Sequence, residues 1–337
     1  MKQSFNSIIF VCAVVLVFAG CSETNKPLSV VEGVTMGTTY TVKIADQINR
    51  EVNLKTLIDQ ELIEFNKVFS NYIPDSEISR FNRSEGAVPV SSSFRKLLLL
   101  SEEVKNITQG AFDVSIGPLV NLWGFGPVSE TGALPSESQV QDLLETSGSN
   151  PLRITQDFVY KAEETKLDFS GIAKGYAVDS IVETLEEMGL TNFFVEIGGE
   201  VKARGLNARG APWNIGIEVP DRNERKIFNT VPLHNLAMAT SGDYRNFFEL
   251  DDVFFSHIIK PDSGYPIDNR VGSVTVLHRS AALADALATG LNAIGFESLS
   301  RISNEKNLKV MAIIRRSGNY EVFSSEKYQE YLKSHSK

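Results

Sequence analysis

Both cysteines of this 337-residue chain, Cys12 and Cys21, fall within its first 21 residues. Everything after Cys21 must therefore fold on an apolar core alone. A disulfide framework, a Cys-x-x-Cys redox pair and a cysteine-rich zinc site are all excluded. The composition can supply such a core, because 42% hydrophobic and 22% charged residues are globular proportions. The length allows one large domain or two ordinary ones. With 33 Lys and Arg against 42 Asp and Glu, the formal charge is −9. Nucleic-acid binders carry a basic excess that displaces counterions, so no nucleic-acid partner is expected. A small anion in one local pocket stays open, since net charge does not describe a single pocket.

The N-terminus reads as a targeting segment. Lys2 is the only charge before Glu23, and an apolar run follows from Ile8 to Ala19. About twelve residues are too few for a bilayer span, which needs roughly 20. A charged start, a short apolar run and small residues at its end describe a secretory signal over residues 1–20. Phe18-Ala19-Gly20-Cys21 resembles the lipobox of bacterial lipoproteins, with Phe18 in place of the usual Leu. Cleavage there leaves Cys21 as the lipidated first residue, followed by a polar tether over 21–29. The expected protein is anchored to a membrane by its lipid rather than spanning it.

Beyond the tether, hydrophobic periodicity alternates between the two regular forms. Val30 to Ile44 reads as a strand or hairpin broken at Met36-Gly37. Leu54, Leu57, Ile58, Leu62, Phe65 and Phe69 recur at helical spacing. Phe94, Leu97, Leu98, Val104 and Ile107 mark a second helix, closed by Gly110. Residues 117–135 hold four Gly and three Pro and read as a long loop. A short helix is expected at 136–146, strands at 152–161 and 165–169, and a helix at 171–188 entered through a Ser170 cap. A buried strand at 193–197, several strands over 201–277, helices at 280–294 and 296–303, and a strand at 308–314 follow. A strand–helix pair ends the chain. Strands and helices are mixed throughout, so the fold class is α+β (mixed α/β), with one compact catalytic unit over 30–334.

Three segments could carry chemistry. In the helix at 280–294, Leu283, Leu287, Leu291 and Ile294 form one stripe, and Asp285, Thr289 and Asn292 form another, each one turn apart. Asp285 is the only charge between Ser280 and Phe296. A solvated face normally carries several charges, so Asp285 reads either as a hydrogen-bonded core residue or, with Thr289, as a pair of hard oxygen ligands for Mg²⁺ beside a phosphate. In the segment Leu167 to Asp179, the helix start and Lys174 suit an anion, or are an ordinary capped helix with a surface lysine. His257 precedes a Pro-Asp-Ser-Gly turn and is a candidate acid or base, or a structural histidine.

Taken in order, these segments resemble the ApbE family of FAD:protein FMN transferases. The matching pieces are MGTTY at 36–40, NYIPDSEISRFN at 71–82, GAFDVSIGPLVNLWGFG at 110–126 and LDFSGIAKGYAVD at 167–179. VEIGGE at 195–200, ATSGDYRN at 239–246, HIIKPDSGYP at 257–266 and ADALATGLNAIG at 284–295 complete them. The resemblance implies a T-fold-like unit that cuts FAD, passes FMN to a Thr or Ser hydroxyl of an acceptor protein, and releases AMP. It implies Mg²⁺ held by Asp285, Thr289 and the backbone carbonyl of Gly171. It implies FAD contacts at Met36, Tyr72, Ala111, Phe112, Asp113, Asp168, Lys174 and Ile258, and His257 as the proton acceptor. The implied acceptors are flavoproteins of exported or membrane electron-transfer complexes, of the sodium-pumping NADH:quinone reductase or Rnf type. The expected location is the periplasmic side of an inner membrane. A Mg²⁺-dependent FAD pyrophosphatase and a non-catalytic flavin-binding lipoprotein are the competing readings.

Overall fold

The computed structural model describes residues 28–48, 52–127, 134–146, 152–222, 224–244, 247–250, 253–317 and 319–335. The signal segment, Cys21 and nearly all of the tether lie outside the described residues.

The chain opens with the hairpin β1 (Ser29–Thr35) and β2 (Thr38–Ile44), then α1 (Leu54–Phe69), α2 (Glu77–Arg83), β3 (Gly86–Pro89) and α3 (Ser92–Ile107). Next come α4 (Gly117–Leu122), α5 (Glu137–Thr146), β4 (Arg153–Ile154), β5 (Phe158–Lys161) and α6 (Ala173–Glu187). A run of strands follows: β6 (Phe193–Ile197), β7 (Glu200–Arg204), β8 (Trp213–Glu218), β9 (Ile227–Leu233), β10 (Leu236–Gly242), β11 (Phe247–Leu250), β12 (Val253–Ser256) and β13 (Val271–His278). The chain closes with α7 (Ala281–Ala293), α8 (Phe296–Glu305), β14 (Lys309–Arg316), β15 (Asn319–Ser324) and α9 (Glu326–His335).

Eight strands pair in the order β1-β2-β6-β7-β10-β13-β14-β15, every neighbour antiparallel. Their side chains alternate between two cores, as the two-residue period of a strand requires. Phe193, Val195 and Ile197 of β6 join Ala237 and Ala239 of β10 in a core under α1, α3, α6 and α7. Phe194 of β6 with Leu236 and Met238 of β10 face the other way, onto the β8–β9 ribbon and onto Tyr328 and Tyr331 of α9. The sheet is thus sandwiched, with helices on one face and a ribbon plus α9 on the other. A third core joins α4 and α5 to the β11–β12 ribbon through Trp123, whose indole N–H donates to the Gly264 carbonyl at 2.7 Å.

The helices form where caps and apolar spacing coincide. The Asn53 side chain accepts the Thr56 N–H at the start of α1, and Leu54, Ile58, Leu62, Phe65 and Phe69 are buried along it. Leu57, expected on the same stripe, stands exposed at its edge. The Ser280 hydroxyl caps α7 at the Leu283 N–H.

Some expectations are corrected. The stretch at 117–135 contains α4, because Pro118 sits in its first turn, where a missing N–H costs nothing. Its residues 128–133 lie outside the described residues. Residues 165–169 are not a strand. They make only a short pairing, in which Gly117 N–H donates to Lys166 and Asp168 N–H to Val114. Ser170 is not the cap of α6, since its N–H donates to Asp168 Oδ1 and the helix starts after Ile172 without a side-chain cap. The short α2, capped by Ser76, was not expected from periodicity, because seven residues hold fewer than two full turns of pattern.

Candidate active site

Helices α6 and α7 pack against each other at unusually small residues. A Cβ placed on Gly175 would lie 2.2 Å from the Ala281 carbonyl oxygen and 2.8 Å from Asp285 Cβ. That close approach lets the Gly175 N–H donate to Asp285 Oδ2 at 3.0 Å. Asp179, one turn along α6, fixes the same junction from its other end. Its carboxylate accepts from Ser280 Oγ at 2.6 Å and from the N–H groups of Ala281 and Ala282 at 3.0 and 3.1 Å. Lys202 of β7 donates to it at 2.6 Å. The N-terminus of α7 is therefore held by an anion, as the helix dipole favours.

Asp285 is only 5% exposed, so the solvated-face reading of α7 is excluded. Its cation is Lys174, whose Nζ lies 4.0 Å from Asp285 Oδ2 and 3.4 Å from Oε1 of Glu200, the first residue of β7. Lys174 is consequently not a surface lysine, and its side chain is 30% exposed. Burial pulls its ammonium down, but Asp285 and Glu200 outweigh that and hold it above the ordinary lysine value. Burial pushes the Glu200 carboxyl up to about 8, with Lys174 opposing and Asp285 adding to the rise. Burial likewise raises Asp285, against Lys174 and the Gly175 N–H. Two carboxylates thus share one ammonium in a region poor in water, and Glu200 Oε2 is buried without a partner.

Thr289 lies one turn beyond Asp285 and meets the loop before α6. A Cβ on Gly171 would stand 3.3 Å from Thr289 Cγ2 and 3.6 Å from its Oγ1. The structure therefore brings together all three residues expected to hold a cation. Carboxylate, hydroxyl and backbone carbonyl are hard oxygen donors, which suit a hard cation. Among the described residues no group of three His, Cys, Asp or Glu is gathered. One carboxylate with a hydroxyl and a carbonyl is a donor set that would fit Mg²⁺, which keeps waters and takes phosphate oxygens.

Some of the residues expected to contact flavin lie near this junction. Phe112 is wedged between Gly171 and α7, 3.1 Å from where a Gly171 Cβ would stand and with its Cβ 2.8 Å from that of a residue at 290. Ala111 and Ile258 join Ala293 of α7 and Ile267 in a small apolar cluster. Met36 and Gly37 form the two-residue turn of the β1–β2 hairpin, at φ of 51° and 72°. Met36 in the left-handed region is costly for a residue with a Cβ, and this turn type demands it. The turn adjoins Lys174 through Gly198, whose Cβ would lie 2.9 Å from Thr38 Cγ2 and 3.2 Å from Lys174 Cδ. Asp113 is engaged by Lys105 at 2.6 Å and by Ser115, so its carboxylate holds local structure.

A second group lies along the 168–172 loop. Asn71 Nδ2 donates to Asp168 Oδ2 at 3.1 Å, and the neighbouring Tyr72 hydroxyl donates to the Phe125 carbonyl at 3.2 Å. Phe125 meets the His257 ring edge-on, with centroids 6.3 Å apart. Tyr72 is 70% exposed. His257 follows β12 rather than lying inside a strand.

Residues 36–314 match the model of the ApbE family. The chain belongs to the ApbE family. It is 39% identical to a FAD:protein FMN transferase of Vibrio cholerae over 325 residues, covering 95% of this chain and 97% of that one. It is 37% identical to the FAD:protein FMN transferase of Haemophilus influenzae, covering 98% of each. Its fold matches the solved structure of a flavin transferase ApbE from Vibrio cholerae with a TM-score of 0.84 and 38% identity, over 91% of this chain and 99% of that one. Two residues of this ApbE-family site, Glu200 and Asp179, had no role assigned from sequence. Both stand in the quoted motifs, but their partners lie 26 and roughly 100 positions away along the chain, as Lys174 and Ser280.

Proposed function

We propose that the chain is a Mg²⁺-dependent FAD:protein FMN transferase. It moves FMN from FAD to a Thr or Ser hydroxyl of an acceptor flavoprotein as a phosphoester and releases AMP. The observation that carries this reading is the junction of Asp285, Thr289, Gly171 and Lys174, a set of oxygen donors beside an ammonium. The names of the relatives support the flavin chemistry.

In this reading the acceptor oxygen bonds to the FMN phosphorus while the bond from that phosphorus to the AMP oxygen breaks. A divalent cation at Asp285 and Thr289 would neutralise charge on the pyrophosphate. Lys174 adds a positive charge whose position Glu200 and Asp285 fix. His257, half-buried beside Phe125, takes the proton of the acceptor hydroxyl. Met36, Tyr72, Phe112 and Ile258 offer apolar and aromatic surface to the flavin and adenine. From the N-terminal segment we infer that Cys21 carries a lipid, which holds the enzyme on the periplasmic face of the inner membrane. Acceptors of the NADH:quinone reductase or Rnf type would meet it there.

The test uses the full chain in detergent with FAD, Mg²⁺ and an acceptor domain carrying its target Thr. Covalent flavin fluorescence on the acceptor is expected. Free FMN and AMP without labelling would make the protein a pyrophosphatase, and intact bound FAD would make it a carrier. Asp285→Ala abolishes labelling, and EDTA does the same to the unaltered chain. Labelling that survives both removes the cation from the mechanism. His257→Ala slows labelling while FAD stays bound, and loss of FAD binding instead would reassign that residue to structure.

A further inference from the structure

We propose that Glu200 is a positioning residue that draws the Lys174 ammonium away from Asp285 and so keeps that carboxylate open to a divalent cation. This rests on the reading of Asp285 as a cation ligand. The Lys174 ammonium has two buried carboxylates within 4.0 Å and lies nearer the one that is not an expected ligand, at 3.4 Å from Glu200 against 4.0 Å from Asp285. A free ammonium beside a buried carboxylate closes to a hydrogen-bonded pair near 2.8 Å, because the attraction grows as water is excluded. Glu200 opposes that collapse by competing for the same ammonium at the shorter distance. The turn before it lies close to the lysine stem, where a Cβ on Gly198 would stand 3.2 Å from Lys174 Cδ. Burial and the nearby Asp285 raise the Glu200 carboxyl, so this anion is costly to keep. Its second oxygen has no partner, so local hydrogen bonding does not account for it. With both carboxylates ionised, which for Glu200 means above about pH 8, the trio carries one surplus negative charge. Without Glu200 it carries none, and the ammonium alone neutralises Asp285.

The test measures binding of Mn²⁺ alone, without FAD, to the full chain above about pH 8, where Glu200 is ionised, by loss of the free-ion resonance signal. Glu200→Gln keeps the shape and weakens binding by about tenfold, the scale of one strong charge interaction. Lys174→Met combined with Glu200→Gln restores binding, because no ammonium then competes. Lys174→Met alone binds Mn²⁺ more tightly than the unaltered chain, a result that stands even where Glu200→Gln fails to fold. A double variant no better than Glu200→Gln would make Glu200 a ligand itself and overturn the proposal. Unchanged binding in Glu200→Gln, or no tightening in Lys174→Met, overturns it too. Asp285→Ala separates the two levels. If it binds Mn²⁺ like the unaltered chain, the cation reading fails, whereas if it loses binding while Glu200→Gln does not, only the role of Glu200 fails.

Discussion

Replacing Gly175 with alanine sets two effects of opposite sign against each other. Gly175 lies inside α6, where alanine is the better helix former by about 1 kcal/mol, so propensity alone predicts a more stable protein. The new methyl would stand 2.2 Å from the Ala281 carbonyl oxygen, 2.6 Å from its carbon and 2.8 Å from Asp285 Cβ. Ordinary contact begins at 3.4 Å, so α7 must retreat by about 1.2 Å. The helix has little room to do so. Asp179 holds its N-terminus, and β10 and β13 lie beneath it. Overpacking of this kind costs about 1–3 kcal/mol. Movement of α7 also lengthens the Gly175 N–H bond to Asp285 Oδ2, a hydrogen bond to a charged group worth about 1.5–3 kcal/mol. We expect a net loss of roughly 2 kcal/mol, read from urea denaturation as a lower midpoint at unchanged slope. Mn²⁺ affinity falls with it, since Asp285 moves relative to Thr289. A Gly175→Ala protein more stable by about 1 kcal/mol would show that the helices are not closely packed here, and would refute the account of the junction.

Asp179→Ala removes the anion that holds the start of α7 and leaves Lys202 partly buried without its partner, so unfolding free energy should drop by about 3 kcal/mol. A loss below about 1 kcal/mol in urea titration would show that the cap is not stabilising. In EDTA, the raised carboxyl of Glu200 makes the folded state bind a proton that the unfolded chain releases. Its contribution is full below the ordinary value of 4.5 and is lost as pH rises through about 8. Asp285 is raised in the same direction. The thermal midpoint of the unaltered chain should therefore fall relative to that of Glu200→Gln across this window, and parallel curves for the two proteins would contradict it.

The order of elements was legible because most of them declare themselves locally. Apart from exposed Leu57 and half-buried Ile107, the periodic positions of α1 and α3 bury as expected, and Met36-Gly37 marks the hairpin turn. Elements of one or two turns were not legible, since α2 and α4 hold too few residues for a period to emerge. In the site, the spacing of Asp285 and Thr289 could be read from one helix. The partner of Asp285 could not. Whether Lys174 is a surface residue or half of a buried ion group depends on how α6 lies across α7, and that is a tertiary fact. The three glycines that decide it, at 171, 175 and 198, look in sequence like plain turn or helix residues. The motifs that carried the family resemblance include all of them, which is why resemblance reached further here than periodicity.

The placement of small residues also explains how a charged group tolerates this depth. Isolated buried carboxylates are costly, and pairing repays that cost only at short, well-defined distances. Gly175 and Ala281 let the backbones of α6 and α7 approach until one N–H group reaches Asp285, and Gly198 lets the β6–β7 turn press on the stem of Lys174. Larger side chains at these positions would widen the gap to the scale of a water molecule and screen the trio. The same packing that lowers the local dielectric makes any surplus charge act strongly on an arriving ion. Stability and cation affinity therefore depend on the same contacts. Substitutions that loosen the α6–α7 junction should lower both together, whereas those confined to Glu200 and Lys174 should change affinity in opposite directions while leaving the packing in place.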